Sequence, residues 1–85
     1  MQKVKQILLH QGAIWAVAFS PDGQRIVSGD EKGLLVVWNP NTGRSLMSID
    51  STQTSVWGLA WSPDGNTIAS AGGDGTIRLW ESHVR

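Results

Sequence analysis

Short apolar runs separated by turn-forming residues make up almost the whole chain. Residues 14–19 (IWAVAF) and 56–61 (VWGLAW) read as strands, followed in each case by a second strand at 25–29 and 67–71 and a third at 34–38 and 76–80. Ser-Pro-Asp-Gly separates the first two strands of each set. Proline presets φ for a turn, aspartate bonds its own backbone, and glycine takes the left-handed position. Pro21, Asp22, Gly23, Pro63, Asp64 and Gly65 are therefore assigned to turns, and the two aspartates resemble catalytic carboxylates only superficially. Lys32-Gly33 and Asp74-Gly75 mark the next reversal. Asn39-Pro40-Asn41-Thr42-Gly43 breaks the chain again, and residues 44–49 supply a fourth strand whose counterpart ahead of the first set is 4–9, with Val4, Ile7 and Leu9. The third strand Leu34-Leu35-Val36-Val37-Trp38 is apolar on both sides, so it expects neighbours on both faces.

The two sets are copies of one unit. At an offset of 42, and without a gap, Gln11/Gln53, Trp15/Trp57, Ser20/Ser62, Ile26/Ile68, Ser28/Ser70, Gly33/Gly75 and Trp38/Trp80 are identical, together with the whole Ser-Pro-Asp-Gly turn. Chance likeness between apolar strands does not reproduce turns and strands in a single register. A period of 42 lies in the range of four-stranded propeller blades.

The Ser-Pro-Asp-Gly turns, the stretch Ser70-x-x-x-Asp74-Gly75-Thr76-Ile77-Arg78-Leu79-Trp80 and the trailing tryptophans resemble the WD-repeat family of β-propellers, over nearly the whole chain. The resemblance implies an all-β fold of two four-stranded antiparallel blades, with each sequence repeat supplying the outermost strand of one blade and the three inner strands of the next. Strand order is then d-a-b-c-d-a-b-c within a single two-repeat unit, 1–85, of which repeat 1 is 1–42 and repeat 2 is 43–85. Residues 14–49 make a complete blade, whereas 56–80 lack an outer strand and 4–9 are an outer strand without a sheet. The two defects are complementary. Strand 4–9 of a neighbouring subunit is expected to complete the second blade, a head-to-tail contact that closes a ring when the rotation per subunit divides a full turn. Propellers hold about four to eight blades, so two-blade units allow a dimer, trimer or tetramer but never seven blades, the number for which WD-type repeats most often look built; six and eight are the nearest reachable numbers. The expectation settles on a cyclic homotetramer of eight blades, with the trimer next.

WD-type blades commonly carry a hydrogen-bonded set of His, Ser or Thr, Asp and Trp. By residue, the resemblance carries His10, Ser28 and Trp38 over to the first repeat, with Lys32 where Asp stands in the family, and Ser70, Asp74 and Trp80 to the second, with Thr52 in the His position. Each repeat thus keeps three of four, and Asp30 or Glu31 is a candidate substitute in the first. Trp15 and Trp57 fall near the start of the first strand, a position that the resemblance places by the top rim of the channel. They are read either as packing between blades or as a circle of indoles that binds a peptide or apolar ligand.

Composition narrows the chemistry further. Seven basic residues balance seven acidic ones, which leaves no electrostatic footprint for nucleic acid or an anionic membrane surface. Without cysteine there is no disulfide framework, thiolate metal site or cysteine nucleophile. The apolar run Ile7-Leu8-Leu9 is too short for a signal or a membrane span, so a soluble, cytoplasmic protein is the expectation. His10 and His83 lack metal-ligand spacing with any other cluster, and Gly72-Gly73-Asp74-Gly75 lacks the Lys and Ser/Thr of a phosphate loop. A catalytic triad of His10, Asp74 and a serine is set aside because its members belong to different repeats. No catalytic, cofactor or metal site is expected. The sequence reads as a non-catalytic scaffold that assembles with itself and presents its top face to a protein or peptide. The alternatives are an engineered or excised half-module with no ligand and, after it, a lectin-like propeller.

Overall fold

The computed structural model describes residues 10–82, and in them the two repeats form two separate antiparallel sheets. The first sheet runs in the order β1 (Ile14–Phe19), β2 (Ile26–Asp30), β3 (Leu34–Trp38), β4 (Ser45–Asp50). The second contains β5 (Val56–Trp61), β6 (Thr67–Gly72) and β7 (Ile77–Glu81). The expected strands are all present in this region, shifted at most by a residue. Arg25 stays in the turn, outside β2: it has no ladder partner on β3, whereas its counterpart Thr67 pairs with Glu81, and both amides bond the preceding serine hydroxyl alike, at 3.0 Å. Thr76 likewise serves the β6–β7 turn, while Glu81 pairs with Thr67 and extends β7. The fourth strand foreseen for the second sheet, at 4–9, lies outside the described residues.

The two Ser-Pro-Asp-Gly turns are built alike. The Ser20 hydroxyl donates to Asp22 Oδ1 at 2.6 Å and the Gln24 amide donates to the same oxygen at 2.9 Å; Ser62, Asp64 and Asn66 repeat this at 2.6 and 3.0 Å. Gly23 and Gly65 take φ of 74° and 76°, which is the left-handed conformation the reversal requires. Hydrogen bonds from the serine hydroxyl and the following amide hold both aspartates below the ordinary carboxylate pKa.

Alternation along the strands gives each sheet two faces, and the packing between the sheets identifies which pair is used. Val27, Leu35 and Val37 on one face of the first sheet are buried against Val56 and Ile68, with Leu59 and Trp61 of β5 packed around them. β5 lies against β1 and β2. Polar contacts fasten the same seam. Trp61 Nε1 donates to the Ala18 carbonyl at 3.0 Å, and the Ser55 hydroxyl donates to the Glu31 carbonyl at 2.7 Å. The Arg25 guanidinium lies over the Trp61 ring, 4.8 Å from its centroid, and donates to the carbonyls of Gly65 (3.0 Å) and Ser82.

Gly29 is the point of closest approach. A Cβ there would stand 2.5 Å from Val56 Cγ1 and 2.8 Å from Val56 Cβ, so the absence of a side chain is what admits Val56. Gly29→Ala is expected to cost about 1–3 kcal/mol by overpacking, measured by urea unfolding. Adding Val56→Ala should recover part of that loss, and equal stability of Gly29→Ala and the parent would contradict the packing described.

Candidate interaction surfaces

The opposite faces of the two sheets each carry exposed apolar groups, although Ile26, Ser28 and Val36 on that face of the first sheet are buried. Ile77 and Leu79 on β7 are 74% and 70% exposed, and Val17 and Phe19 on β1 are 59% and 64% exposed. Register puts Val17 opposite Ser28 and Phe19 opposite Ile26, on the face turned away from the seam; Leu79 opposite Ala69 and Ile77 opposite Ala71 define the outward face of the second sheet. The outer edge of β7 has no strand beside it among the described residues. Large apolar groups are thus exposed on both flanks of a small unit, a pattern that in general accompanies interaction surfaces.

Trp15 and Trp57 stand at a third surface. In both sheets the pairing register shifts at the start of the first strand, between Ile14 and Ala16 and between Val56 and Gly58, so each tryptophan is the extra residue of a bulge. A bulged residue projects out of the alternation. The two indoles, 56% and 61% exposed, stack with ring centroids 6.2 Å apart and planes inclined by 17°. Gly73 backs Trp57, because a Cβ there would lie 3.4 Å from its indole nitrogen.

Behind the strands lie two hydrogen-bonded networks, and they are wired differently. In the first sheet His10 Nδ1 is 3.0 Å from Asp30 Oδ2, His10 Nε2 is 2.6 Å from Ser28 Oγ, and Trp38 Nε1 donates to Ser28 Oγ at 3.2 Å. With Nδ1–H given to the carboxylate, a neutral ring leaves Nε2 to accept the Ser28 proton. The other Asp30 oxygen accepts the amides of Lys32 (2.9 Å) and Leu34 (3.0 Å). Lys32 therefore contributes only its backbone, and Asp30 supplies the carboxylate. Burial disfavours the Asp30 charge, yet the Leu34 amide, the His10 ring and the Lys32 amide outweigh it and hold the pKa below the ordinary value.

In the second sheet Ser70 and Trp80 keep their bond, at 2.9 Å, but Ser70 donates to Gln53 Oε1 at 2.6 Å. Gln53 Nε2 is within 3.2 Å of the Ser70 carbonyl, 3.0 Å of the Thr76 carbonyl and 3.1 Å of the Thr76 hydroxyl. Asp74, expected with Ser70 and Trp80, is instead exposed in the turn and accepts the amide and hydroxyl of Thr76 at 3.0 and 2.7 Å. Those two short bonds hold it in the turn. Thr52, aligned with His10, accepts from Arg78 at 2.8 Å. The residue that replaces His10 is its neighbour's counterpart, Gln53, turned inward where Thr52 and Thr54 adopt φ of 57° and 64°. Position 30 explains the exchange. Its repeat counterpart is Gly72, where a Cβ would lie 2.5 Å from Gln53 Cβ, so Gln53 fills the room that the Asp30 side chain takes in the first repeat. Among the described residues no buried side-chain nitrogen or oxygen lacks a partner.

The expected latch residues Val4, Ile7 and Leu9 lie outside the described residues. Among those described, no group of three or more His, Cys, Asp or Glu is arranged to hold a metal ion, and no helix is long and apolar enough to cross a membrane.

Two antiparallel meanders packed face to face, first strand beside first strand, with a Trp–Ser network behind each, define tandem blades of a β-propeller. The chain belongs to the WD domain, G-beta repeat family, whose profile matches residues 1–39 and 43–81. It is 53% identical over 34 residues to WD repeat-containing protein 90 of Mus musculus and 43% identical over 44 residues to WD repeat-containing protein 90 of Homo sapiens, matches that cover 40% and 52% of this chain. In both cases the match spans 2% of the relative's length. Among solved structures it is similar to the crystal structure of RRP9 WD40 repeats (TM-score 0.85, 27% identity, 89% of this chain and 24% of that one). The structure of U3-55K gives a TM-score of 0.84 at 27% identity, over 89% of this chain and 25% of that one. The crystal structure of the computationally designed Ika4 protein gives 0.80 at 34% identity, over 95% of this chain and 48% of that one. Proteins of this family are in general non-enzymatic scaffolds whose propellers mediate protein–protein interactions.

The first network makes one pH prediction. Because the folded pKa of Asp30 is depressed, its stabilisation is present above the unfolded value of about 3.9 and is lost as pH falls through the folded value. The thermal midpoint of the parent should therefore drop more steeply below about pH 4 than that of Asp30→Asn, followed by circular dichroism. Parallel curves for the two would show that Asp30 does not supply the charge.

Proposed function

We propose that the chain is a non-catalytic scaffold whose copies join head-to-tail into a closed β-propeller, with eight blades from four copies as the leading closure and six from three as the next, and that its rim of paired indoles binds a protein or peptide. One observation carries the assembly. The open groups Ile77 and Leu79 are the repeat counterparts of Leu35 and Val37, and the open groups Val17 and Phe19 are those of Leu59 and Trp61. Leu35 and Val37 already pack with Leu59 and Trp61 inside the chain. Each open face is thus one half of a contact this sequence is built to make, and its complement is the other open face.

In that arrangement the unit 1–85 contributes the complete blade 14–49, and the second blade, 56–80, gains its fourth strand from 4–9 of the next copy, with Val4, Ile7 and Leu9 as the latch. Main-chain hydrogen bonds along β7 supply adhesion, and alternate side chains supply register. The Trp–Ser networks act as structural fasteners, and the turns at 20–23 and 62–65 set the strand order. No catalytic or cofactor role is assigned.

The likeness to a computationally designed protein over 95% of this chain favours a second reading, an assembling module without any ligand. The two differ only at the indole rim.

Two measurements test these readings. Ile77→Asp or Leu79→Asp buries a charge at the contact and is expected to leave a two-blade monomer by native mass spectrometry, as is deletion of residues 1–9. A ring that survives the deletion would remove the latch, and a parent chain monomeric at every concentration would remove the assembly. Trp15→Ala with Trp57→Ala should leave the ring intact while weakening capture of a peptide selected on the parent by at least about tenfold, the scale of losing a central aromatic contact. Unchanged peptide affinity would favour the module without a ligand.

A further inference from the structure

Comparing the internal seam with its counterpart on the open faces exposes a systematic difference. The apolar positions are kept, but every polar fastener described for the internal seam is missing from the other. Trp61, which donates to the Ala18 carbonyl, is replaced by Phe19, which has no donor. Arg25, which covers the Trp61 ring and binds two carbonyls across the seam, is replaced by Thr67, short and uncharged. Ser55, whose hydroxyl donates to the Glu31 carbonyl, is replaced by Ala13. The close approach changes as well. Gly29 makes way for Val56, whereas its counterpart Ala71 carries a methyl group and the residue brought opposite it, Ile14, is larger than valine.

We infer that a second copy of this chain docks its outward β1–β4 face on the outward β5–β7 face with only apolar side chains meeting face to face, at a slightly wider spacing, so that, apart from the strand 4–9 latch, this contact lacks the fasteners of the internal seam and is the weaker, reversible joint of the assembly. The inference rests on the head-to-tail reading. Its physical basis is the sign of each replacement. A hydrogen bond across a seam adds directional stabilisation on top of apolar burial, and a guanidinium stacked on an indole adds a further contribution. Apolar burial by itself is present in both seams. Adding a methyl at the point where the internal blades already approach to van der Waals limits forces the copies apart there and forfeits dispersion contacts. The chain therefore behaves as a rigid pair of blades joined to other pairs by soft seams, and the ring exchanges subunits as intact pairs.

The test restores the fasteners. Ala13→Ser, Phe19→Trp and Thr67→Arg together copy the internal seam onto the open faces, at positions where none of the three parent side chains is buried. Dilution series by mass photometry are expected to show the triple variant dissociating at a concentration at least about tenfold lower than the parent, which corresponds to about 1.4 kcal/mol. A variant that dissociates at the same or a higher concentration overturns the inference. If the triple variant does not fold, Thr67→Arg alone gives the same test, with a shift in the same direction expected and no shift overturning it. Arg25→Thr is the reciprocal measurement. It should lower the thermal midpoint of the dissociated chain while leaving the dissociation concentration within about twofold, and a loss of assembly as large as the loss of fold stability would contradict the separation of the two seams. A parent chain that never assembles overturns the head-to-tail reading instead, so the two failures are distinguishable.

Discussion

A strand that reads Leu-Leu-Val-Val-Trp cannot rest with either face in water, and the organisation of this chain follows from that. Leu35 and Val37 are buried toward the second sheet, while Val36 between them is buried on the other side. A four-stranded sheet with two apolar faces is stable only as the filling of a stack, and the chain supplies one neighbour. The close approach at Gly29 and Val56 fixes how near that neighbour sits, and the linker at 51–55, with two threonines in the left-handed region, turns the chain from one sheet into the next. Left-handed threonine costs about 1–2 kcal/mol per residue relative to its preferred conformations. That strain is held by the buried amide of Gln53, which sits between them.

The polar networks behind the strands illustrate how a motif is preserved while its members change. His10 with Asp30 and Gln53 with Gly72 are two solutions to the same need, a partner for the Ser–Trp pair that leaves no buried group unsatisfied. The members exchange as pairs. An aspartate at position 72 would collide with Gln53. One consequence is electrostatic: the first blade relies on a carboxylate and an imidazole, both titratable, whereas the second relies on an amide that carries no charge at any pH.

Strands, turns and the repeat were legible because each has a local cause. Turn chemistry at Ser-Pro-Asp-Gly, two-residue alternation and the trailing tryptophans state their own positions, and the boundaries moved by a residue at most, as at β7, where Asp74 takes the Thr76 amide for the turn and Glu81 pairs with Thr67. The networks were half legible. Asp30 is visible in sequence as a carboxylate near the vacant position, but a gap-free register puts Thr52 opposite His10, and nothing local says that the backbone twists to bring in Gln53 instead. The one available signal was the pairing of Asp30 with Gly72, a carboxylate lost exactly one period away from a new buried amide, and it becomes readable only once the two positions are known to share a space. The Arg25–Trp61 clamp left no signal at all, since it joins a turn residue of one blade to a strand residue of the next.

Under the proposed head-to-tail arrangement the bulges tie binding to assembly. Trp15 and Trp57 stack because the extra residue at the start of each first strand throws the side chain sideways, toward the adjacent blade, so the stacked pair is a property of two blades in contact and not of either alone. Within one chain only a single such stack forms. In a head-to-tail ring Trp57 of each copy meets Trp15 of the next, and the isolated pair becomes a continuous rim. A soft seam between copies would then do more than limit stability. In the proposed ring it would place every second stack of the rim at a joint that opens, so the surface offered to a peptide would be complete only while the ring is closed, and a ligand spanning neighbouring stacks would gain affinity for the closed ring over its parts. By linkage, such a ligand stabilises the assembly to the same degree that assembly improves its binding.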